Sequence, residues 1–177
     1  MRIIAVIVLV IVHLSNMVSH NAISEALGYT CTSPAYTRLT YMLGHVNLLH
    51  LAVNVVGIYK LDEFVEVCFE KKQMPKWLYK LFLLICILIA AVSTIGTALQ
   101  LPTVGLSGVL FVYMGCVAAV IMNRYTLVYT ITMVLFNIIG YLTGAMNWML
   151  HCNAFVGGFI LGLIIYIYDK KRGCIHK

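Results

Sequence analysis

The chain has 177 residues, 62% of them apolar and only 10% charged, with a mean hydropathy of +0.97. Soluble domains are near half apolar and about a quarter charged, so this composition excludes a soluble enzyme and points to an integral membrane protein with little room for a soluble domain. The formal net charge of +6 lies in short hydrophilic gaps between apolar runs, where it reads as an orientation signal and not as a nucleic-acid surface.

Six apolar runs stand out, at about residues 3–20, 46–69, 78–99, 106–122, 127–146 and 149–168. Each is near the roughly 20 residues that a helix needs to span a bilayer. Lipid offers no partner to an open backbone, so all six are expected to be helices. A small barrel would need alternating polarity, which the run from Leu81 to Val92 lacks. The first run follows a single charge, Arg2, and its purely apolar part ends at Val12. It is expected to be a retained helix and not a signal-peptide core, because no clear small-x-small cleavage site follows. The expected architecture is an all-α membrane protein, one six-helix domain over residues 1–170 with a short basic cytoplasmic tail over 171–177. The six cysteines, Cys31, Cys68, Cys86, Cys116, Cys152 and Cys174, show no metal-ligand spacing and read as small hydrophobes.

Lysine and arginine set the orientation. The gap after the second run holds Lys71, Lys72 and Lys76, with Lys80 just beyond; the gap after the fourth holds Arg124; the tail holds Lys170, Lys171, Arg172 and Lys177. The loops on the other side hold only Arg38. The positive-inside rule then puts both termini in the cytoplasm. Trp77, Tyr79, Tyr166 and Tyr168 fall at the inner interface and Trp148 at the outer one. Runs two, four and six all cross from outside to inside, which brings His50, Ser107 and His151 to a similar depth near the outer boundary.

Chemistry concentrates at those three positions. In Gly105-Leu106-Ser107-Gly108, Pro102 and Gly105 end the preceding loop, so Ser107 opens a helix. Its backbone N–H is then an unsatisfied donor, in a place where the helix dipole favours negative charge. An oxyanion hole needs both. A serine in a membrane helix is, by itself, more often a packing residue. His50 and Asn54 are four apart on one helix face, with His45 five residues earlier. They read either as a hydrogen-bonded pair between helices or as two donors aimed at one point. His151 shares a face with Ala154, Gly158 and Gly162, and such small residues let a neighbouring helix approach closely. No acid is placed with these groups: Asp62, Glu63, Glu66, Glu70 and Asp169 fall at the opposite membrane boundary, and Glu25 sits in the first outer loop with no assigned place. The reading is a Ser107–His151 dyad, with Phe111, one turn below Ser107, as a ring to stack on the imidazole.

His45-x4-His50-x3-Asn54, Gly105-Leu106-Ser107-Gly108-x6-Gly115, and His151 with Gly158 and Gly162, in this order on the second, fourth and sixth runs, resemble the rhomboid intramembrane serine proteases. Thr40-Tyr41-Met42 and Glu66 are also similar, and the resemblance covers about residues 1–170. It implies a six-helix rhomboid-like bundle with Ser107 as nucleophile and His151 as general base. The oxyanion hole would be the Ser107 backbone with the side chains of His50 and Asn54; Gly105, Gly108, Phe111, His45 and Gly158 would support the site. The chain departs from the family at Leu150 and Ala154, where Ala and Gly are usual, and at Phe111, where Tyr is frequent. Asp62 and Glu63 replace a usual glycine pair, and Arg38 is one residue closer to His45.

The resemblance further implies cleavage of single-pass transmembrane substrates near the outer leaflet, with sideways entry near the fifth helix. Loop one (21–45) and loop five (around Ala145 to Met149) would cover the cavity. No cofactor, metal or nucleic acid is expected, and the expected location is a prokaryotic cell membrane. Two other readings stand beside it. A haem or metal carrier ligated by His50 and His151 would leave Gly105, Gly108 and Asn54 without a role. A catalytically silent rhomboid-like binding protein would leave the serine–histidine pair without one.

Overall fold

The computed structural model describes residues 2–97, 102–121, 124–143 and 147–175. Residues 98, 99, 122 and 144–146 of the expected runs and loops, and residues 176–177 of the tail, lie outside them. The chain is helical: α1 Arg2–Val18, α2 Ala22–Leu27, α3 Thr37–Thr40, a 3-10 turn Tyr41–Leu43, α4 Leu48–Lys71, α5 Lys76–Val92, α6 Ser107–Ile121, α7 Arg124–Thr143 and α8 Trp148–Ile175. Apart from one isolated bridge, Tyr29 with Thr103, no β-structure occurs among the described residues.

Each apolar run lies on one helix, with two differences in extent. The third run ends early, at Val92. There the hydroxyls of Ser93, Thr94 and Thr97 each donate to a carbonyl three or four residues back, at 2.7 Å, and Gly96 follows with φ 79°. Such side-chain bonds compete with helix continuation. At the other end of the chain the helix runs into the basic tail as far as Ile175. Among the described residues, residues 148–171 form the one helix long and apolar enough, by length and composition, to cross a membrane. A second counts if the helices 37–43 and 48–71, bent by 99°, are a single broken span, and residues 3–18 and 107–120 are apolar but shorter.

Helix α6 is the centre of the bundle, with Val109, Phe111, Val112, Tyr113, Met114, Cys116, Ala118 and Ala119 all buried. Its tightest partner is α8. A Cβ on Gly115 would strike the Phe155 carbonyl oxygen, one on Gly158 the Val112 carbonyl oxygen, and one on Gly162 the Cys116 carbonyl oxygen. Backbones this close are what a row of small residues permits in a helix pair. Helix α5 buries Phe82, Cys86 and Ala90 on one side and exposes Leu84, Ile87 and Leu88 on the other. A helix apolar all round suits a span in lipid. Trp77, Tyr166, Tyr168 and Trp148 are exposed. Tyr79, expected among these interfacial aromatics, instead turns its hydroxyl inward to Asp62 (2.6 Å).

Loop one folds against the approach to α6. Tyr29 and Thr103 exchange two backbone hydrogen bonds, at 3.0 and 2.9 Å, and the Gly105 N–H donates to the Tyr41 carbonyl at 2.8 Å. The Tyr41 hydroxyl reaches the Ala90 carbonyl (3.1 Å), and the Arg38 guanidinium reaches Thr94 Oγ1 (3.1 Å). These contacts tie residues 29–41 both to the end of α5 and to the segment that delivers Ser107.

Candidate active site

Ser107 is the first residue of α6. Gly105, two residues earlier, has φ 131°, a conformation that side chains rarely adopt. It is also crowded: a Cβ there would lie 2.6 Å from His50 Cε1 and 2.8 Å from His50 Nε2, with Asn54 Nδ2 at 3.6 Å. Glycine is therefore required twice over, for its backbone and for the space that two polar side chains occupy. Gly108 has a similar constraint, since a Cβ would collide with the Tyr41 hydroxyl oxygen.

The Ser107 hydroxyl lies 2.9 Å from His151 Nε2. The imidazole is buried and stacks on Phe111, with centroids 4.2 Å apart and planes 2° apart. Its Nδ1 has no hydrogen-bond partner among the described residues. Asn54 is buried, and its Nδ2 likewise has no partner there. A buried amide nitrogen without a partner calls for an explanation, and Asn54 Nδ2 lies beside the backbone that enters Ser107. His45 is fully buried, its ring packed edge-on to His50 at 5.2 Å, and its Nε2 accepts the Leu106 N–H at 3.4 Å. Gly158 lies two turns along α8 from His151, where it admits the Val112 backbone of α6.

The structure thus brings Ser107, His151, Phe111, His50, Asn54, His45, Gly105 and Gly108 into one locality, and Gly158 onto the helix contact beneath it. Sequence reasoning missed three other features. Asn47 caps α4, its Oδ1 accepting from the His50 N–H at 2.8 Å, and Asn147 caps α8 by accepting from the Leu150 N–H at 3.1 Å. Both helices that bring a histidine to this place are thus fixed at their first turn. An Asn at or near the start of each of these two apolar runs was the available signal. Asn153 Nδ2 also donates to the Ser93 carbonyl, at 3.2 Å, holding α8 to the end of α5. Nothing local in the sequence announces that bond.

Chemically, the arrangement offers a hydroxyl paired with an imidazole at a helix N-terminus. Two further side chains that can donate, His50 and Asn54, lie against the Gly105 backbone. Among the described residues there is no group of three or more His, Cys, Asp or Glu positioned to hold a metal ion. The family model described as Rhomboid domain matches residues 33–172, a stretch that includes every residue of this locality. No curated protein matches the chain.

Proposed function

This chain belongs to the rhomboid family, and on that premise we propose that it is an intramembrane serine endopeptidase in which Ser107 is the nucleophile and His151 the general base. The family is one of intramembrane serine proteases that act on membrane proteins in the bilayer, and its members are integral membrane proteins. The observation that carries the proposal for this chain is the 2.9 Å contact between Ser107 Oγ and His151 Nε2, formed where a helix begins. Six helices, α1 and α4 to α8, cross the membrane with both termini in the cytoplasm. They form one domain over residues 1–170, with residues 171–177 as its basic tail. The proposed membrane is that of a prokaryotic cell.

In the proposed reaction, Ser107 Oγ attacks the carbonyl carbon of a substrate peptide bond while His151 Nε2 takes the hydroxyl proton. The electron pair of the carbonyl moves onto its oxygen. The Ser107 N–H, His50 Nε2 and Asn54 Nδ2 donate to that oxyanion. Collapse breaks the C–N bond, and the leaving amine takes the proton from His151. Water, entering from the outer side, then attacks the acyl-serine with His151 again as base, releasing the carboxylate product and restoring Ser107. The base must present Nε2 bare, so its proton sits on Nδ1. No carboxylate holds that proton among the described residues, and the parallel ring of Phe111 takes over the orienting role. Substrates are single-pass transmembrane proteins, unwound locally near the outer leaflet so that a peptide bond can reach Ser107.

The test is reaction of the purified protein with a serine-directed fluorophosphonate, together with cleavage of a test transmembrane substrate. Wild type should do both, and Ser107→Ala should do neither while retaining its fold, since it loses the nucleophile but gains no buried charge. Wild-type cleavage by Ser107→Ala would end the proposal.

A further inference from the structure

Asp62 lies inside α4 with 5% of its surface exposed. Two hydroxyls converge on one of its oxygens: Tyr79 from α5 donates to Oδ1 at 2.6 Å, and Tyr113 from α6 donates to the same atom at 2.8 Å. Aromatic rings surround the cluster. Tyr79 packs edge-on to Phe69 at 5.8 Å, and Tyr113 edge-on to Phe82 at 5.2 Å. A carboxylate within a membrane span is expensive and rare, and one that persists there is a functional hypothesis by default. The proposed chemistry has no use for it as a reacting group.

We infer that Asp62 is a positioning residue: through Tyr113 it sets the axial register of α4 against α6, and with it the placement of Asn54 and His50 relative to Ser107. This inference rests on the protease reading above. The two helices run in the same direction away from the site. Asn54 lies eight residues before Asp62 on α4, about 12 Å along the axis, and Ser107 six residues before Tyr113 on α6, about 9 Å. The Asp62–Tyr113 bond therefore closes a ladder whose other end is the site. Between them α4 meets α6 through Gly57 and the Leu110 side chain, where a Cβ on Gly57 would lie 3.0 Å from Leu110 Cδ1. An apolar contact of that kind is non-directional and tolerates sliding. A hydrogen bond to a buried carboxylate does not, because displacement leaves the carboxylate short of a partner. A single buried polar group that fixes the register of packed helices is a known use of such residues. Tyr79 supplies an internal control. It bonds to the same oxygen, but its helix contributes no group to the oxyanion side of the site.

The experiment compares Asp62→Leu, Asp62→Asn, Tyr113→Phe and Tyr79→Phe, each alone and on an Asn54→Ala background, with kcat and KM measured on a test transmembrane substrate. Tyr113→Phe and Asp62→Leu should lower kcat by on the order of 10-fold or more, since ~1 Å of misplacement can cost 10²-fold, with KM little changed. Asp62→Asn keeps an acceptor oxygen and should recover most of the loss. Tyr79→Phe should stay near wild-type kcat. On the Asn54→Ala background Tyr113→Phe should lose distinctly less than it does alone, because the part of the loss that acts through Asn54 is already gone and only the part through His50 remains. Equal losses for the two tyrosine variants, or a full Tyr113→Phe loss on the Asn54→Ala background, would overturn the inference.

Tyr113→Phe alters one oxygen and carries the test should Asp62→Leu not fold. A second readout is independent of proteolysis: spin labels at Val56 on α4 and Val156 on α8, both exposed. Helix α8 is locked to α6 by its glycines, so this pair reports α4 against α6. The distance distribution should shift or broaden with Tyr113→Phe but not with Tyr79→Phe, and an unchanged distribution in both refutes the inference. A wild type that cleaves nothing, yet shows the Tyr113-specific shift, would reject the protease reading while leaving the register device standing.

Discussion

The ring of Phe111 lies parallel to the imidazole of His151, with centroids 4.2 Å apart and planes 2° apart. The two residues come from neighbouring helices, α6 and α8, so the stack also measures how those helices are placed. An aromatic pair of this kind contributes about 0.5–1.5 kcal/mol beyond the area it buries. Since Nδ1 of His151 has no other anchor among the described residues, most of that energy should appear in the orientation of the base. Phe111→Leu is therefore expected to lower kcat by roughly 10-fold with KM near its starting value, from the stacking energy alone. Phe111→Tyr, which preserves the ring, should remain within about 2-fold of wild type. Steady-state kinetics on a test substrate decide this, and a Leu variant as active as wild type would mean that the stack does not orient the base.

Gly158 and Gly157 are adjacent, yet their surroundings differ in kind. A Cβ on Gly158 meets the Val112 backbone of α6, which cannot move without moving the helix that carries Ser107. A Cβ on Gly157 meets the Cγ2 methyl of Ile89 on α5, a side-chain atom and not the backbone of the helix that carries Ser107. Gly158→Val should thus lose on the order of 10²-fold in activity, the scale of a ~1 Å misplacement, while Gly157→Val stays much closer to wild type. Labelling by a fluorophosphonate at matched concentrations of folded protein distinguishes them. The reverse ranking would put the wrong face of α8 against Ser107.

His50 and Asn54 should act on kcat. Replacing either with Ala removes one proposed oxyanion donor, and the expected loss is roughly 10²-fold in kcat. The double variant should lose less than the product of the two. Because the Asn54 amide nitrogen is buried without a partner, Asn54→Ala should cost little stability, so thermal unfolding can separate the two effects. A rise in KM at constant kcat would instead make these residues part of substrate binding.

The proposed topology can be checked without any assay of activity. Lys71 is exposed at the end of α4, beside the ion pair between Lys72 and Asp169 that joins this end to α8. Lys71→Cys in a cysteine-free background should react with a membrane-impermeant thiol reagent only after the membrane is opened. Reaction from outside in intact cells would invert the orientation and remove the shared-depth argument for His50, Ser107 and His151.

The division between what sequence and tertiary structure supply follows from what each encodes. Hydropathy along a chain records how each segment partitions between water and apolar surroundings, a property of consecutive residues. It therefore made the all-helical class readable, and local turn chemistry at Pro102 and Gly105 made the start of α6 at Ser107 readable as well. The same local chemistry was available at Asn47 and Asn147 and was overlooked. The third apolar run shows where hydropathy misleads. Ile95, Ala98 and Leu99 extend its apolar character past Val92, but the hydroxyls of Ser93 and Thr94 bond back to the last turn of the helix, which ends there.

Distances between helices are another matter. The 2.9 Å from Ser107 to His151 spans 44 residues of chain, and the bond from Tyr113 to Asp62 spans 51. Position along the second run puts Asp62 with the other acids at the inner membrane boundary, whereas the fold buries it under two tyrosines, one of which is expected from sequence at the lipid interface. Only the packing of α4, α5 and α6 decides this, because a hydrogen bond between helices depends on which faces meet and at what register. In a chain apolar on nearly every face, hydrophobic patterning cannot say which face that is.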